Sequence, residues 1–243
     1  IAMIQEPDNG QLLRRVLTVL DEAGIRWCVL HGYDAVPDHV LTDIDMVVTQ
    51  QDFARLFSVL STVPGAVVAQ AFVYQARSIS FVLVAWSQTG LMTLTLDVSC
   101  EFRAAGRCFF TSDEILINRR RSPAGLWIPA PHMEFATYLL KRVLKSKREC
   151  ELLSPHAQSR LSALFAAERT EAAWALRMFF STELAQQVAV WVAANQWELV
   201  FTHRARLRRD TLVRAFRSQP GSVVSYWMLE WRRIGYRLTH PTG

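Results

Sequence analysis

The stretch LHGYDAVPDHVLTDIDMVV, residues 30–48, decides how the first half of this chain folds. An apolar run ends at Gly32, a loop of about ten residues follows, and a second apolar run then carries Asp43 and Asp45 with only Ile44 between them. Side chains alternate faces along a strand, so Asp43 and Asp45 point one way while Ile44 and Met46 point the other. Two carboxylates held side by side repel, and burying them unpaired is costly, so the pattern asks for a cation between them. Hard oxygen donors favour magnesium or manganese.

Working outward, Leu12, Leu13, Val16, Leu17 and Leu20 fall at helical spacing before the first of these runs, with Asn9 as a candidate N-cap and Gly24 as a stop. Residues 25–32 read as a short strand ending in glycine, and 43–48 as the next. Thr49 with Asp52 resembles a capping box for a helix that places Phe53, Leu56, Phe57 and Leu60 on one face. Three further strands are expected at 66–74, 78–86 and 91–102. From Ser112, a candidate cap, the pattern turns helical: Phe135, Leu139, Leu140 and Val143 form one stripe, and Ser154 with Pro155 opens the next helix. The expected architecture is an α/β (α+β) mixed sheet with flanking helices over residues 1–115, followed by an all-helical domain over 116–243. The change of pattern falls between about residues 105 and 130.

A third acid obeys the same alternation. In LMTLTLDVSC, residues 91–100, Leu94, Leu96 and Val98 take one face, while Thr93, Thr95 and Asp97 take the other. Three carboxylates on adjacent strands are able to hold two metal ions, which activate an attacking hydroxyl and neutralise charge developing on a phosphate. Phosphoryl or nucleotidyl transfer is the reaction class this implies.

The combination resembles the nucleotidyltransferase superfamily, whose fold is shared with the palm of DNA polymerase beta. The resembling segments are VLHGYD (29–34), TDIDMVV (42–48) and LTLDVS (94–99). The resemblance implies that Asp43 and Asp45 are metal ligands and that Asp97 completes the metal site and assists deprotonation of an acceptor hydroxyl. It also implies that Gly32 lies against the triphosphate of a nucleoside triphosphate. The family usually places a second small residue after that glycine; this chain has Tyr33 there. A narrower likeness, through GYDAVPDHVLTDIDMVV, LDVSCEFRAAGRCFFTSDEIL and IPAPHMEFATYLLKRVLKSK, is to a nucleotidyltransferase-like module of bacterial polysaccharide gene clusters. That module often precedes a thymidylate-kinase-like P-loop domain, and RLTHPTG (237–243) is similar to the junction leading into it. The resemblance therefore implies a sugar or polysaccharide precursor as acceptor. It offers as alternative a catalytically silent module that binds or regulates an attached kinase-like domain.

Lys141, Lys145 and Arg148 recur along one helix edge, where they would clamp nucleotide phosphates, Lys141 first among them, or face solvent. Arg77 and Ser80 are further candidate phosphate contacts, and His31 stands beside Gly32 either as a site residue or as a structural one. Arg119, Arg120 and Arg121 read as an exposed charge run. Trp174, Trp191 and Trp197 sit at apolar helical spacing and read as core, not as a stacking platform, so nucleic acid is not the expected partner. Residues 201–243 hold nine arginines against Asp210 and Glu230, which suits phosphate-rich or anionic surfaces or simply a solvated helix face. No apolar run reaches the roughly 20 residues of a membrane span, and Cys28, Cys100, Cys108 and Cys150 lack metal or disulfide spacing, so reduced thiols and a cytoplasmic location are expected.

Overall fold

The structure, a computed structural model, describes residues 9–33, 36–38, 40, 42–75, 77–87, 90–104, 106–144 and 153–239, and the side chains of these except 74, 75, 230 and 233–239. Lys145, Arg148, Cys150 and the last residues of RLTHPTG lie outside the described residues. The chain divides into two compact units, residues 1–102 with 110–130 and residues 103–109 with 131–243.

The first unit is built on a five-stranded mixed sheet. Its elements in chain order are α1 (Asn9–Glu22), β1 (Trp27–Val29), β2 (Ile44–Val48), α2 (Gln50–Phe53), α3 (Leu56–Leu60), β3 (Ala66–Gln75), β4 (Ser78–Ser87) and β5 (Gly90–Ser99). The hairpin β6 (Glu101–Ala104) and β7 (Arg107–Thr111) follows, then α4 (Ser112–Leu116), β8 (Arg120–Arg121) and β9 (Trp127–Ile128). The sheet order is β1-β2-β5-β4-β3. Only β2 and β5 pair in parallel; the other neighbours are antiparallel.

The alternation in β5 governs what lies on each face. Met92, Leu94, Leu96 and Val98 are buried with Met46, Val48, Phe81 and Leu83 in a core that α1 closes with Leu12, Leu13, Val16 and Leu20, and α3 with Leu56 and Leu60. Truncating any one of these leucines to alanine removes about 2–5 kcal/mol, since the hole left behind does not fully close. The polar residues of β5 are forced to the opposite face.

Local signals departed from expectation in four places. Asn9 is the first residue of α1, and its Oδ1 accepts from the Thr93 backbone N–H at 3.0 Å, so it ties the helix to β5. Thr49 caps α2 as expected, but the helix breaks after Phe53 and restarts at Leu56, which turns Phe57 out to solvent. The cap of α4 is Thr111, one residue before Ser112, in a reciprocal capping box with Glu114. Arg119 is half-buried rather than part of an exposed run: it donates to the Trp27 carbonyl at 2.8 Å and stacks on Trp127, whose ring Arg121 also covers. Burial, and then the neighbouring Arg26 charge, push the Arg119 guanidinium down from its ordinary value.

The second unit is helical: α5 (Pro131–Leu144), α6 (Pro155–Ala167), α7 (Arg169–Phe179), α8 (Thr182–Ala193), α9 (Trp197–Thr202), α10 (Arg204–Ser218) and α11 (Pro220–Thr239). Aromatic side chains fill it, Phe109 edge-on to Phe179 at 5.0 Å and Phe135 against Phe165 at 5.2 Å. Ser154 caps α6, accepting from the Ala157 backbone N–H. Residues 103–109 belong here because the hairpin tip is locked onto the end of α10 and the start of α11. Cys108 N–H donates to Gln219 Oε1 at 3.2 Å, and Gly106 packs so closely that a Cβ would stand 2.8 Å from the Val223 Cα. Of the tryptophans expected in the core, Trp197 is buried and Trp191 is half-buried on His203. Trp174 is 48% exposed, because Ala172, Ala175, Leu176 and Phe179 use the other face of α7.

Candidate active site

The parallel register of β2 and β5 sets Asp45 directly opposite Asp97. On the other side of β5, Ser80 of β4 is also opposite Asp97, so Asp45, Asp97 and Ser80 form one row across three strands. Neighbouring strands lie about 4.8 Å apart, which fixes the spacing of that row. Asp43, one residue before β2, lies on the same face by alternation. The register is well specified: slipping β5 by one residue would drive Asp97 and Thr95 into the core and expose Leu94, Leu96 and Val98.

The Asp97 carboxyl is pushed above its ordinary value of 3.8, chiefly by burial. The buried Ser80 hydroxyl opposes this by donating to it, while the charges of Asp43 and Asp45 and a hydrogen bond shared with Asp43 add to the rise. Like charge is thus concentrated on one side of the sheet. His31 lies beside this group, its Nε2 3.4 Å from Asp45 Oδ2. It arrives there because the Leu30 N–H donates to the Asp45 carbonyl at 2.9 Å, extending the antiparallel pairing of β1 with β2 by one residue.

Gly32 follows with φ +76°, a left-handed conformation that glycine adopts without strain, and its missing side chain faces open space. Tyr33, next in the chain, is half-buried and packs against the core cluster. Arg77 is engaged by Gln50, to which it donates at 2.8 Å, and by Glu101 at 3.7 Å. Lys141 lies in the last turn of α5 in the helical unit and is half-buried there. The residues that the sheet unit brings together are Asp43, Asp45, Asp97, Ser80 and His31, with Gly32 beside the last. Ser80 and His31 could be located from the sequence, but not their partners, since those depend on strand order.

The donor set has the chemistry of a hard divalent site: three carboxylates, two of them in register and a third bonded to one of those. Among the described residues no three His, Cys, Asp or Glu side chains are gathered tightly enough to ligate one ion as they stand. Asp45 leans to His31 while Asp43 and Asp97 meet each other.

No protein-family model matches the chain, and no curated protein matches it. Among solved structures it is similar to JHP933 from Helicobacter pylori, at 13% identity and a TM-score of 0.42, over 86% of this chain and 94% of that one. It is also similar to a "putative nucleotidyltransferase" from H. pylori, at 12% identity and a TM-score of 0.37, over 84% of this chain and 94% of the other.

Proposed function

We propose that this protein transfers a nucleoside monophosphate from a nucleoside triphosphate to an acceptor hydroxyl, with divalent cation chemistry at Asp43, Asp45 and Asp97. The observation that carries this reading is the register opposing Asp45 to Asp97, which concentrates negative charge where a structural role would call for pairing. A bound magnesium or manganese ion would neutralise the phosphates and lower the acidity barrier of the acceptor.

The chain's own residues then divide the work. Asp43 and Asp45 would hold the cation, with His31 beside Asp45. Asp97 accepts the acceptor's proton as the new oxygen–phosphorus bond forms and the bond to the departing diphosphate breaks. Ser80, opposite on β4, donates to Asp97 and fixes its rotamer. The left-handed turn at Gly32 lets backbone approach the triphosphate without a side chain intervening. The acceptor, on the resemblance drawn from the sequence, is a sugar or polysaccharide precursor.

The test is calorimetric titration of nucleoside triphosphates with and without magnesium, followed by diphosphate release in the presence of a panel of sugar phosphates. Magnesium-dependent binding that Asp45→Asn abolishes is the expected result. If no triphosphate binds and Asp45→Asn changes nothing, the proposal falls. Binding without turnover by any acceptor would favour a silent recognition module for an attached kinase-like domain.

A further inference from the structure

The helical unit ends in a surface that the transfer chemistry does not use. On α11, Val224, Trp227, Met228 and Trp231 recur at i, i+3, i+4 and i+7, which places them on one face, and they are 48, 41, 56 and 69% exposed. On α10, Val213 and Phe216 are exposed as well. The two sets line one open trough of about 580 Å³. Leu212 and Val213, at its edge, also line an adjoining hollow of about 640 Å³ that contains Arg204, Arg208 and Arg209. Apolar and cationic surface are therefore continuous.

Charge says what fits there. Residues 201–243 carry nine arginines against two acids. Of those acids, Asp210 is occupied in accepting from the Ser181 backbone N–H at 2.6 Å. Arg206 has Glu183 at 3.5 Å, and Arg214 donates to the Arg177 carbonyl. Arg208, Arg209, Arg217 and Arg232 are exposed and make no ion pair or hydrogen bond among the described residues. Helical spacing sets Arg208 and Arg217 on the two flanks of the Leu212, Val213 and Phe216 strip. Large apolar side chains left open in this way mark a partner. A second copy of the same face would meet arginine with arginine. Two tryptophans in an apolar strip fringed by unpaired guanidinium groups are instead the composition of a segment lying in a lipid–water interface, where rings enter the acyl boundary and arginines meet phosphate. No helix of the described residues is long and apolar enough to cross a membrane, so the contact is a surface one.

We infer that the α10–α11 face docks on an anionic membrane surface, with Trp227, Met228 and Trp231 entering the interface and Arg208, Arg209, Arg217 and Arg232 engaging lipid phosphates. This stands apart from the proposed transfer reaction and does not depend on it.

The experiment is co-sedimentation of the full chain with vesicles of phosphatidylcholine alone and of phosphatidylcholine mixed with phosphatidylglycerol, at low and high salt. Binding to the anionic vesicles that falls with salt, and little binding to phosphatidylcholine, is expected. The pair Arg208→Glu and Arg209→Glu should lower the partition coefficient about tenfold or more, and the pair Trp227→Ser and Trp231→Ser should abolish quenching of tryptophan emission by brominated acyl chains. Circular dichroism should show both double variants folded as the parent is. No binding to anionic vesicles, equal binding to both compositions, or wild-type partition by both variants overturns the inference. So does tight binding of a soluble amphipathic Leu/Glu helix blocked by the same substitutions while vesicles are ignored, which would give the trough to a protein partner.

Discussion

Two carboxylates in the two units meet opposite surroundings. Glu134, on α5, is completely buried, and Arg160 of α6 donates to its Oε1 from Nε at 2.9 Å and from Nη2. Asp97, on β5, is only partly buried, yet its charged neighbours are Asp43 and Asp45, and the hydroxyl of Ser80 is its main relief. A carboxylate that serves the fold is given a guanidinium, because an unpaired buried charge would cost more than the folded state can spare. A carboxylate crowded by its own kind lowers stability and persists where something outside the chain completes it. The contrast separates an acid paired within the fold from one whose charged neighbours carry its own sign.

The largest expected effect breaks the sheet side of the comparison. Asp97→Asn keeps the shape and the Ser80 contact but removes the base and one negative charge. On the proposed reaction it should lower kcat by about 10²–10⁴-fold, measured as diphosphate release, while circular dichroism remains that of the parent. Loss of less than about tenfold would show that Asp97 is not the proton acceptor.

That Asp97 is the residue to change was legible in the sequence, because the alternation of Leu94, Leu96 and Val98 with Thr93, Thr95 and Asp97 is a local property of the strand. The same holds for Asp43 and Asp45, and for the succession of a sheet region and a helical one. Adjacency of the acid-bearing strands was expected; what the sequence left open was the register and the place of Ser80 in it. That β2 pairs with β5, across the intervening α2, α3, β3 and β4, is decided by tertiary packing, and with it the opposition of Asp45 to Asp97 and of Ser80 to Asp97. Ser80 was accordingly readable as a residue on the right face but not as the partner of a carboxylate. Phe57 and Trp174 were misplaced for a related reason. Helical spacing alone allows more than one apolar arc, and the break after Phe53 and the small residues Ala172 and Ala175 selected the arcs that exclude them. The hairpin tip at 103–109 lies with the helices because of long-range contacts to Gln219 and Val223, which no local pattern announces.

The helical side of the comparison is broken by Glu134→Ala. Removing the acid strands the Arg160 guanidinium, whose side chain is only 15% exposed, and this should cost about 3–5 kcal/mol in urea unfolding. Replacing both partners, Glu134→Leu with Arg160→Met, should recover most of that loss, since an apolar pair of similar volume needs no compensation. If the double variant is as unstable as the single one, the pair is contributing more than mutual neutralisation.

The smallest effect sharpens the contrast most, because it has the opposite sign. Asp97 has a folded-state pKa above its ordinary value, so the folded protein holds this proton more tightly than the unfolded chain does. The electrostatic penalty is therefore absent well below pH 3.8, where both states are protonated, grows as pH rises through the interval up to the raised value, and is complete above it. Asp97→Asn should then raise Tm at neutral pH, by roughly 1–2 °C because the carboxyl is still partly solvated, and the gain should vanish in strong acid. Magnesium at neutral pH should raise the Tm of the parent by relieving the same repulsion and should do less for the variant. Glu134 offers no such gain, since every change that removes its charge alone leaves Arg160 buried. A neutral-pH Tm for Asp97→Asn below that of the parent would mean that Asp97 is held as firmly as Glu134, and the distinction between the two carboxylates would be lost.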